Sequence, residues 1–323
     1  PRAGHPDRLH RHLSRPRGAV VSDPDLGEAL VDAVQAVTGV HPGRRVLHAK
    51  GVGAEGRFRS SGAAAHLTTA PHLQPAAEVG VVVRFSNGSA DADAHDGARD
   101  GRGMATKFRL DDGSSTDIVA LSLPVFFVRT TDDFVEFVRA RQPDPTTGEM
   151  DLDRVLGLLG AHPEAQLAAQ LSVAAPAPAS YSQVTYHGVH VFWMVGAAGE
   201  RTPVRYRWEP ATPGDGLPDD EAMARPRDYL ADALAADLDA GPVRFDLHVV
   251  VGEPGDPVGD PTSPWPDDRA SVVAGTLELT SRTDAEPLIF DPTNVVDGIE
   301  CSDDPILAAR AAAYSVSYAR RTS

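Results

Sequence analysis

The stretch Val243-Arg-Phe-Asp-Leu-His-Val-Val-Val251 alternates with period two. Val243, Phe245, Leu247, Val249 and Val251 fall on one side, and Arg244, Asp246 and His248 on the other. Such alternation commits one face of a strand to a core and leaves the other facing out. Shorter versions of the pattern predict strands over 79–86, 104–110, 204–208 and 276–280. Helical spacing occupies other stretches. Asp23-Pro24 opens a helix with Leu26, Leu30, Val34 and Val37 on one side, and further helices are predicted over 132–140, 152–159, 164–171 and 304–320. The Pro/Ala-rich run 174–180 reads as a connector. Strands and helices do not alternate regularly, which argues for an antiparallel α+β fold.

Charge narrows the partners. Asp and Glu outnumber Lys and Arg by 46 to 30, a formal net charge of −16, which repels phosphate backbones and anionic lipid. No nucleic acid is expected as a partner. No apolar run approaches the ~20 residues that cross a bilayer, so no membrane span is expected. The single cysteine, Cys301, excludes an intramolecular disulfide and reads as an inert small residue. Residues 1–20 are expected to form a flexible basic arm, whose His5, His10 and His12 read as solvated rather than metal-binding. Residues 21–323 are expected to form a single domain. A cytoplasmic location is favoured, and an exported form is left open because the chain starts at Pro1 rather than Met, so that a leader segment can be missing.

In the last predicted helix, the four-residue step from Arg310 to Tyr314 puts a guanidinium and a phenol on one face. A cation beside a phenol favours the phenolate, a hard ligand for ferric iron. Near the other end stands Arg44-Arg45-Val-Leu-His48-Ala-Lys50-Gly-Val-Gly53-Ala-Glu-Gly56-Arg-Phe58, followed by Val81-Val-Val-Arg84-Phe85-Ser86. Between and beyond them lie Arg102-Gly103-Met104-Ala105-Thr106-Lys107-Phe108, Pro124-Val-Phe126-Phe127-Val-Arg129, Gly188-Val-His190-Val-Phe192 and Pro264-Trp265-Pro266. From about Val31 to the C-terminus, these segments resemble, in content and order, the haem catalase family. The length resembles its small, core-only branch, the catalase-related peroxidases.

The resemblance implies a closed antiparallel β-barrel with surrounding helices, and haem b (iron protoporphyrin IX) buried between barrel and C-terminal helix. It implies that Tyr314 is the axial ligand of the haem iron, held as phenolate by Arg310. His48 becomes the distal acid–base group, since an imidazole near pKa 6.5 can take a peroxide proton and return it. Ser86 would orient that ring. Arg45, Arg84 and Arg321 match positions at the haem propionates or proximal face, and Phe126 and Phe134 match those that pack on the haem plane. His190 matches a proximal histidine in the hydrogen bonding around the ligand helix. His187 and His190 alone lack the further ligands of a zinc site.

One departure bears on activity. The family carries a distal Asn shortly before its Pro-x-Phe-Phe motif, and aligning on Pro124 puts Leu121 there. Ser122 would point to the opposite strand face. Losing such a donor costs ~3 kcal/mol at the transition state, and the loss falls hardest on dismutation, where a second peroxide must be oriented. The expected function is a haem peroxidase that uses hydrogen peroxide to oxidise a small organic electron donor through a ferryl intermediate, with weak catalase activity. A relative that rearranges an organic hydroperoxide is one alternative. A haem-binding or peroxide-sensing protein without turnover is another. The long threading arm of full-size catalases is not evident, so a homodimer or monomer is expected rather than their interlocked tetramer.

Overall fold

The structure, a computed structural model, describes residues 24–144, 147 and 149–323. The predicted basic arm and its three histidines lie outside the described residues. Eight strands close into an antiparallel barrel: β1 (Gly51–Ser60), β2 (Glu78–Asn87), β3 (Arg102–Arg109), β4 (Ser115–Leu121), β5 (Tyr186–His187), β7 (Arg201–Pro210), β8 (Val243–Val251) and β9 (Ser271–Thr283), with β9 returning to pair with β1. The first half of β7 also pairs with β6 (Phe192–Val195), which in turn pairs with β10 (Ile299–Cys301).

Alternation decides what each barrel face holds. On β2, Val79, Val81, Val83 and Phe85 point inward, and the next residues, Val82, Arg84 and Ser86, point out. The interior is filled by an aromatic cluster in which Phe58 meets Phe108 edge-on at 5.2 Å and Phe108 stacks on Trp208 at 6.3 Å. Each such fully buried ring contributes about 2–3 kcal/mol by area alone. The barrel interior is therefore solid packing, and any ligand site belongs on its outer face.

That outer face is covered by helices. α1 (Pro24–Thr38) and α7 (Pro305–Thr322) lie against each other, and Gly27 makes the close approach possible, since a Cβ there would stand 2.8 Å from the Ala312 backbone. α7 starts where Asp304 caps it, accepting from the Ile306 and Leu307 amides ahead of Pro305. Its last turn carries Arg320 and Arg321, matching the negative helix end. α2 (Thr131–Ala140), capped by Thr130, extends the cover and leads to α3 (Leu152–Ala161) and α4 (Pro163–Ala174). α5 (Asp219–Ala224) and α6 (Tyr229–Ala240) complete the helices, with Tyr229, Leu230 and Leu234 of α6 buried in the core. Among the described residues, no helix is long and apolar enough to cross a membrane.

Candidate active site

A cavity lies between the outer face of β2–β4 and the helices α1, α2 and α7. It is lined by nine of the residues singled out in the sequence: Arg45, His48, Arg84, Ser86, Phe126, Phe134, Arg310, Tyr314 and Arg321.

On the barrel side, register builds the site. Gly51 pairs with Ser86, Ser86 with Gly103, and Gly103 with Leu121, so these four residues form one row across four strands. Gly103 beside Ser86 leaves space above the sheet, which the His48 ring fills with Nδ1 3.0 Å from Ser86 Oγ. His48 reaches this place through a left-handed backbone, φ 54°, just before β1 begins. Histidine visits that region more readily than most residues, at a cost of about 1–2 kcal/mol. The His48 amide donates to the Gly88 carbonyl and the Ala49 amide to the Ser89 carbonyl, which holds the turn. Burial, then the positive charges of Arg84, Arg310 and Arg45, push the His48 pKa down to about 3, so the ring is neutral at physiological pH.

Gly103 has a use here that the sequence reading did not assign. A Cβ at that position would stand 2.8 Å from Ser86 Oγ and 3.0 Å from His48 Nδ1, closer than real methyl groups pack. Gly103→Ala is expected to tilt the imidazole and lower turnover roughly 10–100-fold with haem content unchanged. Steady-state kinetics alongside the haem absorbance checks it, and full activity in the variant would refute the contact.

On the helix side, four side chains form a chain of hydrogen bonds. Arg310 donates to Tyr314 Oη through Nη2 at 2.6 Å and Nε at 3.2 Å, and its Nη1 lies 2.8 Å from His190 Nε2. A guanidinium nitrogen only donates, so His190 Nε2 accepts and its proton sits on Nδ1, which donates to Asp304 Oδ2 at 2.6 Å. Burial lowers the His190 pKa, in keeping with a neutral ring. Asp304 thus both caps α7 and anchors the chain that ends on Tyr314. The sequence reading passed over it as a helix start; its position, six residues before Arg310 in an Asp-Pro cap, was the available signal.

At one end of the cavity Arg45, Arg84 and Arg321 converge. Arg84 Nε donates to Glu286 Oε1 at 2.6 Å, and Arg45 Nε stands 3.4 Å from Glu286 Oε2 without a hydrogen bond. Arg45 and Arg321 both donate to the Leu288 carbonyl. Burial, with Arg84 and Arg321 nearby, lowers the Arg45 pKa to about 10. One carboxylate against three guanidiniums leaves two positive charges unmatched.

This donor set fits a haem. Two unmatched charges suit two propionates, Leu30, Val31, Val34, Phe126, Phe134 and Ile306 offer an apolar lining, and a phenol oxygen fixed by two N–H donors suits iron. Leu121 also lines the cavity, in the row of Ser86, about 10 Å away across two strand spacings. Ser122 does not line it: its Oγ accepts from the Arg102 amide at 2.9 Å.

Known proteins share this arrangement of chain. The Catalase family model matches residues 27–323. A catalase-related peroxidase of Mycolicibacterium paratuberculosis is 39% identical over 300 residues, covering 90% of this chain and 93% of the relative. One from Synechococcus elongatus is 32% identical over 300 residues, 91% of this chain and 88% of the relative. A catalase of Vibrio vulnificus is 33% identical, but this chain spans only 56% of its length. A bacterial catalase structure superposes with a TM-score of 0.80 at 25% identity, covering 98% of this chain and 64% of that one. With the barrel, the cavity and a match along nearly the whole sequence in agreement, the chain belongs to the catalase family.

Proposed function

We propose that this protein is a haem b peroxidase that consumes hydrogen peroxide or a small organic hydroperoxide and oxidises small organic donors, with weak catalase activity. The observation that carries the reading is the pairing of His48–Ser86 and Arg310–Tyr314 across one cavity. Bound haem supplies the redox centre that accepts oxidising equivalents from peroxide and passes them to the donor. Tyr314 would hold its iron, and Arg45, Arg84 and Arg321 would hold its carboxylates. His48 acts through Nε2, because Nδ1 is engaged by Ser86. A neutral imidazole takes the proton from one peroxide oxygen and returns it to the other, which leaves as water or alcohol. A haem carrier has no need of such a base.

Leu121 supports the peroxidase emphasis. Its side chain lies in the row where a polar donor would orient a second peroxide, and it favours an apolar group there. Leu121→Asn is expected to raise oxygen release roughly 10–100-fold relative to dye oxidation, the scale of one positioned donor. The test of the whole reading is the absorption spectrum of haem-loaded protein before and after peroxide, with oxygen release and dye oxidation measured in parallel. Fast oxygen release with slow dye oxidation would make the protein a true catalase, and a spectrum unmoved by peroxide would make it a carrier.

A further inference from the structure

A second cluster of ligating groups lies on the side of α2 away from the chemistry described above. α3 and α4 are separated by one residue, His162, whose amide donates to the Leu158 carbonyl and whose carbonyl accepts from the Ala165 amide. With Pro163 next in the chain, the hinge is fixed by both helices, and so is the base of the imidazole. Around the ring stand Asp133 and Glu136 from the first turns of α2 and Glu164 from the first turn of α4. Asp133, His162 and Glu164 are only 19%, 18% and 14% exposed at their side chains. Their donor atoms all lie within 4.8 Å of one another.

The two ring nitrogens have different surroundings. Nε2 lies 3.2 Å from Glu136 Oε2, where a carboxylate needs a donor, so that nitrogen carries the proton. Nδ1 also faces carboxylates, within hydrogen-bond reach of Glu164 Oε1 at 3.4 Å and 3.7 Å from Asp133 Oδ1, so a metal ion bound there displaces the proton that Nδ1 shares with Glu164. Two donor atoms that share a metal ion ~2.1 Å from each stand roughly 3.4 Å apart in a tetrahedral shell. The spacing at Nδ1 is that of neighbouring ligands on one ion. Glu136 then plays the part of the carboxylate that fixes a metal-bound histidine's tautomer. Three carboxylates and one guanidinium, Arg129 with Nε 3.5 Å from Glu164 Oε1, leave two negative charges for a divalent cation.

We propose that Asp133, His162 and Glu164 form a site for a divalent transition-metal ion, separate from the haem cavity. One imidazole and two carboxylates suit Zn²⁺ and its borderline neighbours better than Mg²⁺ or Ca²⁺, which take oxygen alone. Water completes the shell. The ion ties the start of α2 to the α3–α4 hinge. Thr131 and Phe134, which flank Asp133 on α2, line the haem cavity, so the ion also steadies that wall.

The test is equilibrium dialysis of the haem-loaded full chain, freed of metal by a chelator, against Zn²⁺, with bound zinc counted per chain. His162→Gln and Glu164→Gln are compared with the parent, and an unchanged haem spectrum checks that each variant is folded. The expected result is one zinc fewer per chain in both variants, and a parent whose thermal midpoint rises by roughly 5 °C at ~100 Kd of zinc while the variants do not respond. Equal zinc uptake by parent and variants, as the histidines of the N-terminal segment would give, overturns the site. So does a parent that takes up no zinc.

Discussion

Tyr314→Phe is expected to weaken haem binding at least ~100-fold and reduce peroxidase turnover to a few per cent or less per chain. The ring stays, so α7 keeps its packing, and only Oη is lost. That atom is where Arg310 Nη2 and Nε both donate. Without it, two charged N–H groups lose their acceptor, a penalty of about 1–3 kcal/mol in the apoprotein, and the iron loses the protein ligand proposed for it. Haem titration followed by absorbance measures the affinity directly. A phenylalanine variant that bound haem with parental affinity and spectrum would place the ligand elsewhere.

The second large effect is expected at His48. His48→Asn should lower turnover ~10²- to 10⁴-fold, the usual share of a positioned acid–base group, while haem binding stays near the parental value. Asparagine is the informative replacement because it tolerates the left-handed backbone at φ 54°, so loss of chemistry is not confused with loss of fold. The pH profile gives a further check. The active ring is neutral, and its pKa is depressed to about 3, so protonation removes activity only as pH falls through that region. The parent is expected to show no acid limb near pH 6.5. A limb there, absent in the variant, would mean that the arginines do not hold the ring neutral.

Much of the barrel could be read from alternation, and the reasons for the misses are local. β8 was plain because its outer face carries Arg244, Asp246 and His248. β4 was missed because both faces are covered: Thr116, Asp117, Ile118 and Ala120 are all buried, and Asp117 is paired with Lys107 at 2.6 Å, so period two disappears. β1 was missed because Gly51, Gly53 and Gly56 are poor strand formers in isolation. Their value is tertiary, as Gly51 shows, where a Cβ would stand 2.6 Å from the Arg84 guanidinium carbon. α6 is rich in alanine and its apolar side is thin, which hid it. At the site, residues carried by a motif were legible, His48, Ser86, Arg310 and Tyr314 among them. Asp304 and Glu286 were not, because each acts through a partner more than a hundred positions distant, His190 for one and Arg45 and Arg84 for the other.

Closure of the barrel sets a timetable for synthesis. β1 pairs with β9, so Gly53 must meet Thr283, and His48 and Arg45 face a cavity whose far wall is α7. Contacts this distant make folding slow, and during translation the segments before α7 wait with the outer face of β2 bare until that helix has left the ribosome. A nascent chain can therefore complete its cofactor site only after α7 has been made, and cells that make it quickly are expected to accumulate apoprotein first.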